Sequence, residues 1–265
     1  MSEVFLLGHP VSHSLSPAIH NAAFKALGLP HKYSLRDVTP EKLPEAVGLL
    51  RGESALGANV TVPHKENAMR LVDELGEEAR AIGAVNTIVR KGSRLLGHNT
   101  DAYGFERAIA PIPVAGRVLL LGAGGAARAC LHVLLRLGHD VALANRTRSR
   151  ADELAHVMVV DGRRARVVDW PVAGDVLDAD LAVNATSLGL RGEDPLEGIA
   201  LPRAVVDIVA IAGGTPLVRR AREAQDVIVV DGLSTLLHQA VRAFELWTGL
   251  PAPLEVMRAA LTRAS

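Results

Sequence analysis

The side chains best suited to proton transfer in this sequence are Lys65 and Asp101. Pro63 predicts a helix start, which places Lys65 in the first helical turn, where the macrodipole disfavours a cation. Helix stability therefore does not explain the lysine, and the same field makes its ammonium a better proton donor near neutral pH. Asp101 could hold that ammonium and relay a proton. Taken singly, each residue also fits a simpler role, as a surface lysine and as a first-turn acid of a helix.

Hydroxyl and amide side chains occupy two further places where ligands are commonly bound. Ser14 and Ser16 precede Pro17 and so fit an ordinary helix N-cap, but two hydroxyls beside a helix N-terminus can also hold a carboxylate. Asn59 and Thr61 are two residues apart on a predicted strand, so both point to one side of it near its end. Ligand contacts in α/β proteins collect at such strand ends.

A glycine-rich turn lies between a predicted strand, 118–121, and a predicted helix, 126–137. A glycine cluster alone is often only a turn, but the strand–turn–helix context predicts a dinucleotide-binding loop of the G-x-G-x-x-A type. Gly122 permits the tight turn and Gly124 lets the backbone approach a pyrophosphate, which the helix N-terminus attracts. The residues expected at the cofactor here are Gly122, Ala123, Gly124, Gly125 and Ala126.

The next predicted strand, 141–144, ends without the acidic residue that grips the ribose 2′-hydroxyl of NAD. Guanidinium groups follow instead, and they bind a 2′-phosphate through charge-assisted hydrogen bonds, although a solvated basic turn is the simpler alternative. The sequence therefore favours NADP, held at Asn145, Arg146, Thr147 and Arg150. Hydride transfer to a ketone also needs a proton for the developing alkoxide, which Lys65 with Asp101 could supply.

Short apolar runs alternate with helix-like stretches along the chain, which predicts an α/β fold with parallel strands. A Rossmann-type parallel-sheet domain is expected over 105–235, and the segments 1–104 and 236–265 are expected to form a second, discontinuous α/β domain. Within that second domain we expect a hairpin over 84–97. We also expect a helix from Pro63 whose apolar stripe is Ala68, Leu71, Val72 and Leu75.

Composition argues against several classes of protein. The 29 basic and 29 acidic residues balance, which gives no support to a nucleic-acid or membrane partner. The single cysteine, Cys130, cannot form an internal disulfide, and no signal peptide or membrane-length apolar run is visible. The ten histidines show no metal-binding spacing. We expect a soluble cytoplasmic protein that binds a small molecule without a metal, as a monomer or a homodimer.

Eight short blocks, in order along nearly the whole chain, carry a specific resemblance: SHSLSP, GANVTVPHK, GAVNT, GHNTDAYG, GAGGAARA, NRT, NATSLG and DGLSTLLHQA. Together they resemble the shikimate dehydrogenase family. The resemblance implies a two-domain enzyme with a cleft between the substrate domain and the NADP domain. It also implies reversible NADPH-dependent reduction of 3-dehydroshikimate to shikimate, a step of aromatic amino acid biosynthesis.

Matching positions imply a role for each residue in these blocks. Lys65 and Asp101 would be the catalytic pair, and Ser14 and Ser16 would bind the substrate carboxylate. The ring hydroxyls would be bound by Asn59, Thr61, Asn86, Asp101 and Gln239. The residues near the cofactor would include Asn184, Thr186, Ser187 and Gly232.

Three positions depart from the family pattern. Ala210 stands where a tyrosine near the substrate carboxylate is usual, Ala212 replaces a proline, and Thr235 replaces a methionine near the nicotinamide. A lost tyrosine hydroxyl could cost about 1 kcal/mol of substrate binding. Two alternatives stay open: a quinate or quinate/shikimate dehydrogenase of the same family, and a catalytically silent NADP-binding regulatory module. Both Lys65 and Asp101 are retained, which argues against the second.

Overall fold

The fold was analysed in a computed structural model, which describes residues 2–113, 116–173 and 178–265. The chain divides into two compact units. Unit 1 consists of Met1–Gly104 and Leu237–Ser265, and unit 2 consists of Phe105–Leu236. The division therefore falls inside two helices, one near residue 104 and one near residue 236.

The first part of the chain alternates strands with short helices. A 3-10 helix, Pro40–Lys42, precedes α2, and another, Asn67–Arg70, precedes β4. The elements are β1 (Ser2–Gly8), α1 (Ser16–Ala26), β2 (His31–Asp37), α2 (Leu43–Leu49), β3 (Ala55–Val60), β4 (Glu74–Leu75), α3 (Glu77–Ile82), β5 (Thr87–Lys91), β6 (Arg94–His98) and α4 (Asp101–Ile109).

The rest of the chain continues the alternation and ends in two helices. The elements are β7 (Arg117–Leu121), α5 (Gly125–Arg136), β8 (Asp140–Ala144), α6 (Arg148–Val157), β9 (Arg166–Val168), β10 (Leu181–Asn184), β11 (Ala204–Asp207), α7 (Pro216–Glu223), β12 (Ile228–Val230), α8 (Gly232–Thr248) and α9 (Leu254–Ala264). None of the helices among the described residues is both long and apolar enough to cross a membrane.

Unit 1 contains a mixed six-stranded sheet in the order β2-β1-β3-β5-β6-β4. Strand β1 pairs in parallel with β2 and β3, whereas the β5–β6 hairpin is antiparallel, as the sequence predicts for 84–97. Both faces of β1 are buried, which explains its unbroken apolar run. Phe5 and Leu7 pack into a core with α2, and α1 packs against α9.

The prediction of a helix that begins at Pro63 is wrong. Residues 62–63 and 65–66 are turns, Asn67–Arg70 forms a short 3-10 helix, and Glu74–Leu75 is a strand that pairs with β6. Leu71, Val72 and Leu75 do pack on the core of unit 1, so the apolar stripe is real although the helix is not. A short apolar run cannot distinguish a buried turn and strand from a helix by its period alone.

Unit 2 contains a second six-stranded sheet, in the order β12-β11-β10-β7-β8-β9, in which all the pairs are parallel. This is the Rossmann strand order, and the prediction of an α/β fold with a Rossmann-type parallel sheet is confirmed. The strand order reverses between β7 and β10, because β7, β8 and β9 follow one another towards one edge of the sheet and β10, β11 and β12 towards the other. Ligands of open α/β sheets bind at the carboxyl ends of strands beside such a reversal.

Candidate functional site

Lys65 and Asp101, 36 residues apart in sequence, meet in unit 1. Lys65 Nζ donates to Asp101 Oδ2 at 2.6 Å, and the two side chains are only 13% and 14% exposed. Asp101 is the first residue of α4, where the helix dipole favours a carboxylate. Asn99 caps that helix, because its Oδ1 accepts from the backbone N–H groups of Asp101 and Ala102.

The loop that carries Lys65 is held at several points. The buried His64 ring uses Nε2 to donate to the Val38 carbonyl at 2.6 Å. The Lys65 carbonyl accepts from Val85 N–H at 2.8 Å. Lys65 precedes a 3-10 helix of four residues rather than starting an α-helix. The prediction that a helix macrodipole makes Lys65 a better proton donor is therefore wrong. The charged group that Lys65 contacts is its counterion, Asp101.

Asn86 lies at the centre of the polar cluster and is 2% exposed. Its Oδ1 accepts from the backbone N–H of Thr100 at 2.7 Å, which fixes the orientation of the amide group. Its Nδ2 then donates to Asp101 Oδ1 at 2.8 Å and to Thr100 Oγ1 at 3.0 Å. Both oxygens of Asp101 thus accept charge-assisted bonds, one from Asn86 and one from Lys65.

Asn59, at the carboxyl end of β3, is 4% exposed and also uses both of its N–H groups inside the protein. They donate to the backbone carbonyl of Asn86 at 3.1 Å and to Thr87 Oγ1 at 3.0 Å. Asn59 Oδ1 accepts from the Tyr33 hydroxyl at 2.9 Å. Since the amide donors of Asn59 and Asn86 are engaged, these residues orient their neighbours.

Ser14 and Ser16 lie at the start of α1. Their hydroxyls are 3.2 Å apart. Helix α1 has Leu15 at its N-cap, which makes no side-chain capping bond, and Ser14 Oγ accepts from the backbone N–H of Ser16 at 3.3 Å. Ser14 is half-buried and Ser16 is buried.

Two other predicted substrate residues lie in unit 1. Gln239, on α8, accepts a long hydrogen bond from the Thr100 hydroxyl at 3.4 Å, which brings it to the Asn86 cluster. Thr61 is half-buried and follows the end of β3 rather than lying within it. Its methyl group lies against Gly8, where a Cβ would come within 2.3 Å of it.

In unit 2 the glycine-rich turn joins β7 to α5, as predicted. Gly122 has φ +112°, and a Cβ there would lie 2.8 Å from the Ala185 carbonyl oxygen, so the turn packs against the loop after β10. Gly124 is different, since a Cβ there would meet no atom within 4 Å. Helix α5 starts at Gly125 without a side-chain cap and without an acidic residue in its first turn.

The basic segment after β8 contains arginines with different partners. Arg148 is paired with Asp169 and, at 3.7 Å, with Asp152. Arg146 is exposed and makes no hydrogen bond or ion pair with any described residue. Asn145 Nδ2 donates to the Thr147 carbonyl at 2.8 Å, which shapes the turn. Helix α6 begins with Arg148-Ser149-Arg150, so cations lie where the helix dipole opposes them.

The loop after β10 is built on a buried polar cluster. Asn184, fully buried, donates to the Leu188 carbonyl and to Asp207 Oδ1, both at 3.0 Å, while its Oδ1 accepts from the Thr186 hydroxyl at 2.7 Å. Burial raises the pKa of the Asp207 carboxyl to about 6, although hydrogen bonds from Thr215, Val209 and Asn184 act in the opposite direction. Asn184 orients this loop, and Ser187 is its exposed residue.

Two residues singled out in the sequence, Gly232 and Thr235, lie in the first turn of α8. Gly232 is the first residue of α8, against the backbone of Val209. Thr235, one turn later, is 8% exposed, and its buried hydroxyl has no hydrogen-bond partner among the described residues. An unsatisfied buried hydroxyl is costly, so this threonine is a weak point of the packing.

The arrangement in unit 2 fits a phosphorylated dinucleotide. The open space at Gly124, the uncapped N-terminus of α5 and Arg146, which is unpaired within the described part of the chain, lie after adjacent strands β7 and β8 of the sheet. Backbone N–H groups at a helix N-terminus bind phosphate, and a guanidinium binds a further phosphate. Among the described residues, no group of three His, Cys, Asp or Glu side chains could hold a metal ion.

Sequence reasoning missed four buried polar residues that build these sites. Tyr33 lies on β2 and gives no sequence signal, because a tyrosine in a strand usually means core packing. Thr87 directly follows Asn86, which was identified, in the block GAVNT, and Thr100 directly precedes Asp101 in the block GHNTDAYG. Asp207 ends a buried apolar strand, and a carboxylate in that position is a usable signal since it needs partners.

Comparison with known proteins identifies the family. A family model described as the shikimate dehydrogenase substrate binding domain matches residues 6–88, and one described as the shikimate 5′-dehydrogenase C-terminal domain matches residues 232–262. The shikimate dehydrogenase (NADP(+)) of Symbiobacterium thermophilum is 42% identical over 98% of this chain and 93% of its own.

Solved structures agree over the full length. Shikimate 5-dehydrogenase from Thermus thermophilus, in complex with NADP(H) and shikimate, is 39% identical with a TM-score of 0.87 over 100% of both chains. Quinate dehydrogenase from Corynebacterium glutamicum, in complex with NAD, is 30% identical with a TM-score of 0.89 over 99% of both. The resemblance seen in the eight sequence blocks is confirmed, and the chain belongs to the shikimate dehydrogenase family.

Proposed function

We propose that this chain catalyses the reversible NADPH-dependent reduction of 3-dehydroshikimate to shikimate, with Lys65 and Asp101 as the catalytic pair. The observation that carries the proposal is the largely buried ion pair between them, with Nζ and Oδ2 2.6 Å apart. A pair held this way offers an ammonium proton next to a carboxylate that can share it. Relatives named shikimate dehydrogenase (NADP(+)), about two-fifths identical over nearly the whole chain, support the assignment.

Reduction of the carbonyl group requires the transfer of a hydride and of a proton. NADPH held by the residues of unit 2 would supply the hydride to the carbonyl carbon of the substrate. The oxygen of that carbonyl becomes an alkoxide and must gain a proton, which Lys65 Nζ donates. Asp101, through its 2.6 Å contact, stabilises the ammonium before transfer and favours its re-formation afterwards, when the amine takes a proton from water. In the oxidation of shikimate the same pair takes the hydroxyl proton, as microscopic reversibility demands.

Substrate binding is assigned to unit 1. Ser14 and Ser16 bind the carboxylate, because their hydroxyls are adjacent at an uncapped helix start. Thr61 and Gln239 bind ring hydroxyls. The amide donors of Asn59 and Asn86 are engaged within the protein, and their side-chain oxygens accept from Tyr33 and Thr100, so these two residues act on the ring hydroxyls through the groups they orient.

Cofactor binding is assigned to unit 2. The turn 122–126 and the N-terminus of α5 hold the pyrophosphate, and the loop containing Asn184, Thr186 and Ser187 lies beside it at the strand-order reversal. Arg146, which has no partner among the described residues, holds the 2′-phosphate of NADP together with the segment 145–150. Gly232 completes the cofactor site from the start of α8.

The deciding experiment is a steady-state comparison of shikimate and quinate with NADP and with NAD. We expect shikimate with NADP to give the highest kcat/KM by a wide margin. Equal or better turnover of quinate would remove the assignment in favour of the quinate enzyme, which the likeness to the Corynebacterium quinate dehydrogenase keeps as the second candidate. No turnover of either substrate, with NADP still bound, would leave a non-catalytic NADP-binding protein.

The cellular location and the oligomeric state complete the proposal. We place the enzyme in the cytoplasm, because a sequence with one cysteine, Cys130, forms no internal disulfide and so suits a reducing compartment. Both a monomer and a homodimer fit the observations so far, and mass measurement in solution distinguishes them.

A further inference from the structure

We propose that Tyr33 and Thr87 are positioning residues for the catalytic pair, as members of a one-directional hydrogen-bond chain that runs from Tyr33 to Asp101. The chain passes from Tyr33 to Asn59, Thr87 and Asn86 before it reaches the carboxylate. The inference rests on the proposed function, because it explains how the carboxylate of that reaction is held.

Each link of the chain is a hydrogen bond of ordinary length. The Tyr33 hydroxyl donates to Asn59 Oδ1 at 2.9 Å, and Asn59 Nδ2 donates to Thr87 Oγ1 at 3.0 Å. Thr87 Oγ1 donates to Asn86 Oδ1 at 3.0 Å, and Asn86 Nδ2 donates to Asp101 Oδ1 at 2.8 Å.

The direction of the chain follows from the groups that can only donate or only accept. The backbone N–H of Thr100 donates to Asn86 Oδ1, so Asn86 Nδ2 must face Asp101, which as a carboxylate can only accept. Thr87 Oγ1 receives an Asn59 N–H, so its single proton points onwards, to Asn86 Oδ1 or to Thr100 Oγ1 at 3.1 Å. Burial raises the pKa of the Tyr33 hydroxyl, which keeps it a donor.

Burial makes the chain difficult to replace with water. Thr87 is fully buried, Tyr33 is 1% exposed, and Asn86 and Asn59 are 2% and 4% exposed. The Tyr33 ring is itself held, because His20 stacks on it at a centroid distance of 4.5 Å. A buried donor or acceptor that loses its partner retains the full desolvation penalty, and bonds in a chain polarise one another.

The chain has a function because Asp101 has two oxygens with different partners. Asn86 holds Oδ1, which leaves Oδ2 directed at Lys65 Nζ. Thr87 supports the Asn86 amide beside the Thr100 N–H, and without that support Asn86 Nδ2 shifts against Asp101 Oδ1 and the pair loses its alignment.

The test compares Thr87→Val, which removes only the hydroxyl, with Thr87→Ser, which keeps it. In the oxidation of shikimate by NADP we expect Thr87→Val to lower kcat about tenfold, the effect of one misplaced hydrogen bond, with KM for shikimate nearly unchanged. Thr87→Ser should restore most of the kcat. Thr248→Val is the matched control, because Thr248 Oγ1 makes local bonds at the end of α8, donating to the Phe244 carbonyl at 2.8 Å and accepting from the Leu250 N–H at 3.2 Å.

A double variant separates a chain from independent contacts. Tyr33→Phe removes the hydroxyl upstream of Thr87 and should also lower kcat. In Tyr33→Phe combined with Thr87→Val, kcat should be no lower than in Thr87→Val alone, since the chain is already broken. Multiplication of the two effects would overturn the chain, because independent sites give additive free energies. Should Thr87→Val fail to fold, Thr87→Ser and Tyr33→Phe decide the matter between them.

A readout independent of activity keeps this inference separate from the proposed function. The side-chain amide NMR resonances of Asn59 and Asn86, assigned with Asn59→Asp and Asn86→Asp, should move in Thr87→Val and stay in place in Thr248→Val. If the Asn59 and Asn86 resonances move in Thr87→Val while the wild-type protein does not oxidise shikimate, the proposed function is wrong and the hydrogen-bond chain is supported. If they stay in place, or if Thr87→Ser and Thr87→Val are equally slow, the chain is wrong.

Discussion

Lys65 Nζ lies 2.6 Å from Asp101 Oδ2, and each side chain keeps only about one-seventh of its surface exposed (13% and 14%). The two charges are thus largely removed from water and depend on each other. Removing one partner of such a pair leaves the other uncompensated, which is costly. The same dependence makes the pair suited to hold and release a proton at one position.

Replacing Lys65 by Ala should abolish most of the activity. Without the ammonium no group protonates the alkoxide, so we expect kcat for shikimate oxidation to fall about 10²- to 10⁴-fold. NADP binding, measured by calorimetry, should be nearly unchanged, because Lys65 belongs to unit 1. The exposed Lys91→Ala on β5 is the control and should keep full activity. Undiminished turnover in Lys65→Ala would mean that another group is the proton donor.

Replacing Arg146 by Ala should weaken NADPH far more than NADH, since only NADPH carries the 2′-phosphate. A charge-assisted hydrogen bond contributes about 1.5–3 kcal/mol, so the Kd for NADPH should rise about 10- to 100-fold. The measurement is a fluorescence titration with each cofactor. Arg163→Ala, at an exposed position of unit 2, controls for the loss of one positive charge. An equal loss for both cofactors would make Arg146 merely structural.

Unit 1 should lose stability in mild acid because of His20. Burial lowers the pKa of the His20 imidazole from 6.5 to about 3, and neither ring nitrogen has a hydrogen-bond partner among the described residues. The unfolded chain therefore binds a proton below pH 6.5 that the folded chain rejects until about pH 3. Stability is full above pH 6.5 and falls as the pH drops through that window, by up to about 1.4 kcal/mol per pH unit.

The two tryptophans allow this loss to be measured in each unit separately, since Trp170 belongs to unit 2 and Trp247 to unit 1. In a Trp170→Phe background, urea unfolding followed by Trp247 fluorescence should show the decline between pH 7.5 and 5. His20→Phe should flatten it while keeping an aromatic ring on Tyr33, whereas the exposed His13→Gln should not. The same slope in His20→Phe and wild type would exclude His20 as the cause.

Asp207 should give unit 2 the opposite pH dependence. Burial raises the pKa of its carboxyl from 3.8 to about 6, so the folded protein retains a proton that the unfolded chain releases between these values. Stability is therefore greatest below pH 3.8, falls as the pH rises to about 6, and levels off above it; the loss is on the order of 3 kcal/mol. Trp170 fluorescence in a Trp247→Phe background reports it, and Asp207→Asn should remove the slope.

Most of unit 2 could be predicted from the sequence because its site is local. A strand, a glycine turn and a helix follow one another within 117–136, and the second strand leads directly to Arg146. Their positions in a Rossmann sheet follow from chain order and from the handedness of the crossovers. The parts that were missed are the ones that join distant segments, as Asp207 does with Asn184 and Thr215.

The sequence alone also determined which residue types stand at the catalytic position, since Lys65 and Asp101 can be recognised by their chemistry and their surrounding blocks. Tertiary structure decided how they are held. Asp101 meets Lys65 across 36 residues, Asn59 meets Thr87 across 28, and Thr100 meets Gln239 across 139. Such bonds leave no period or spacing in the chain, because they exist only once the sheet has brought its strand ends together.

The segment after Pro63 shows the same limit in local structure. Its apolar residues have the spacing of a helix, but pairing of β4 with β6 and packing on the core outweigh that preference, and Lys65 lies in a turn. Propensity is worth tenths of a kcal/mol per residue, whereas burial of a large apolar side chain is worth about 1.5–3 kcal/mol. The sequence thus determined the chemistry available, and the fold decided which donors face Asp101.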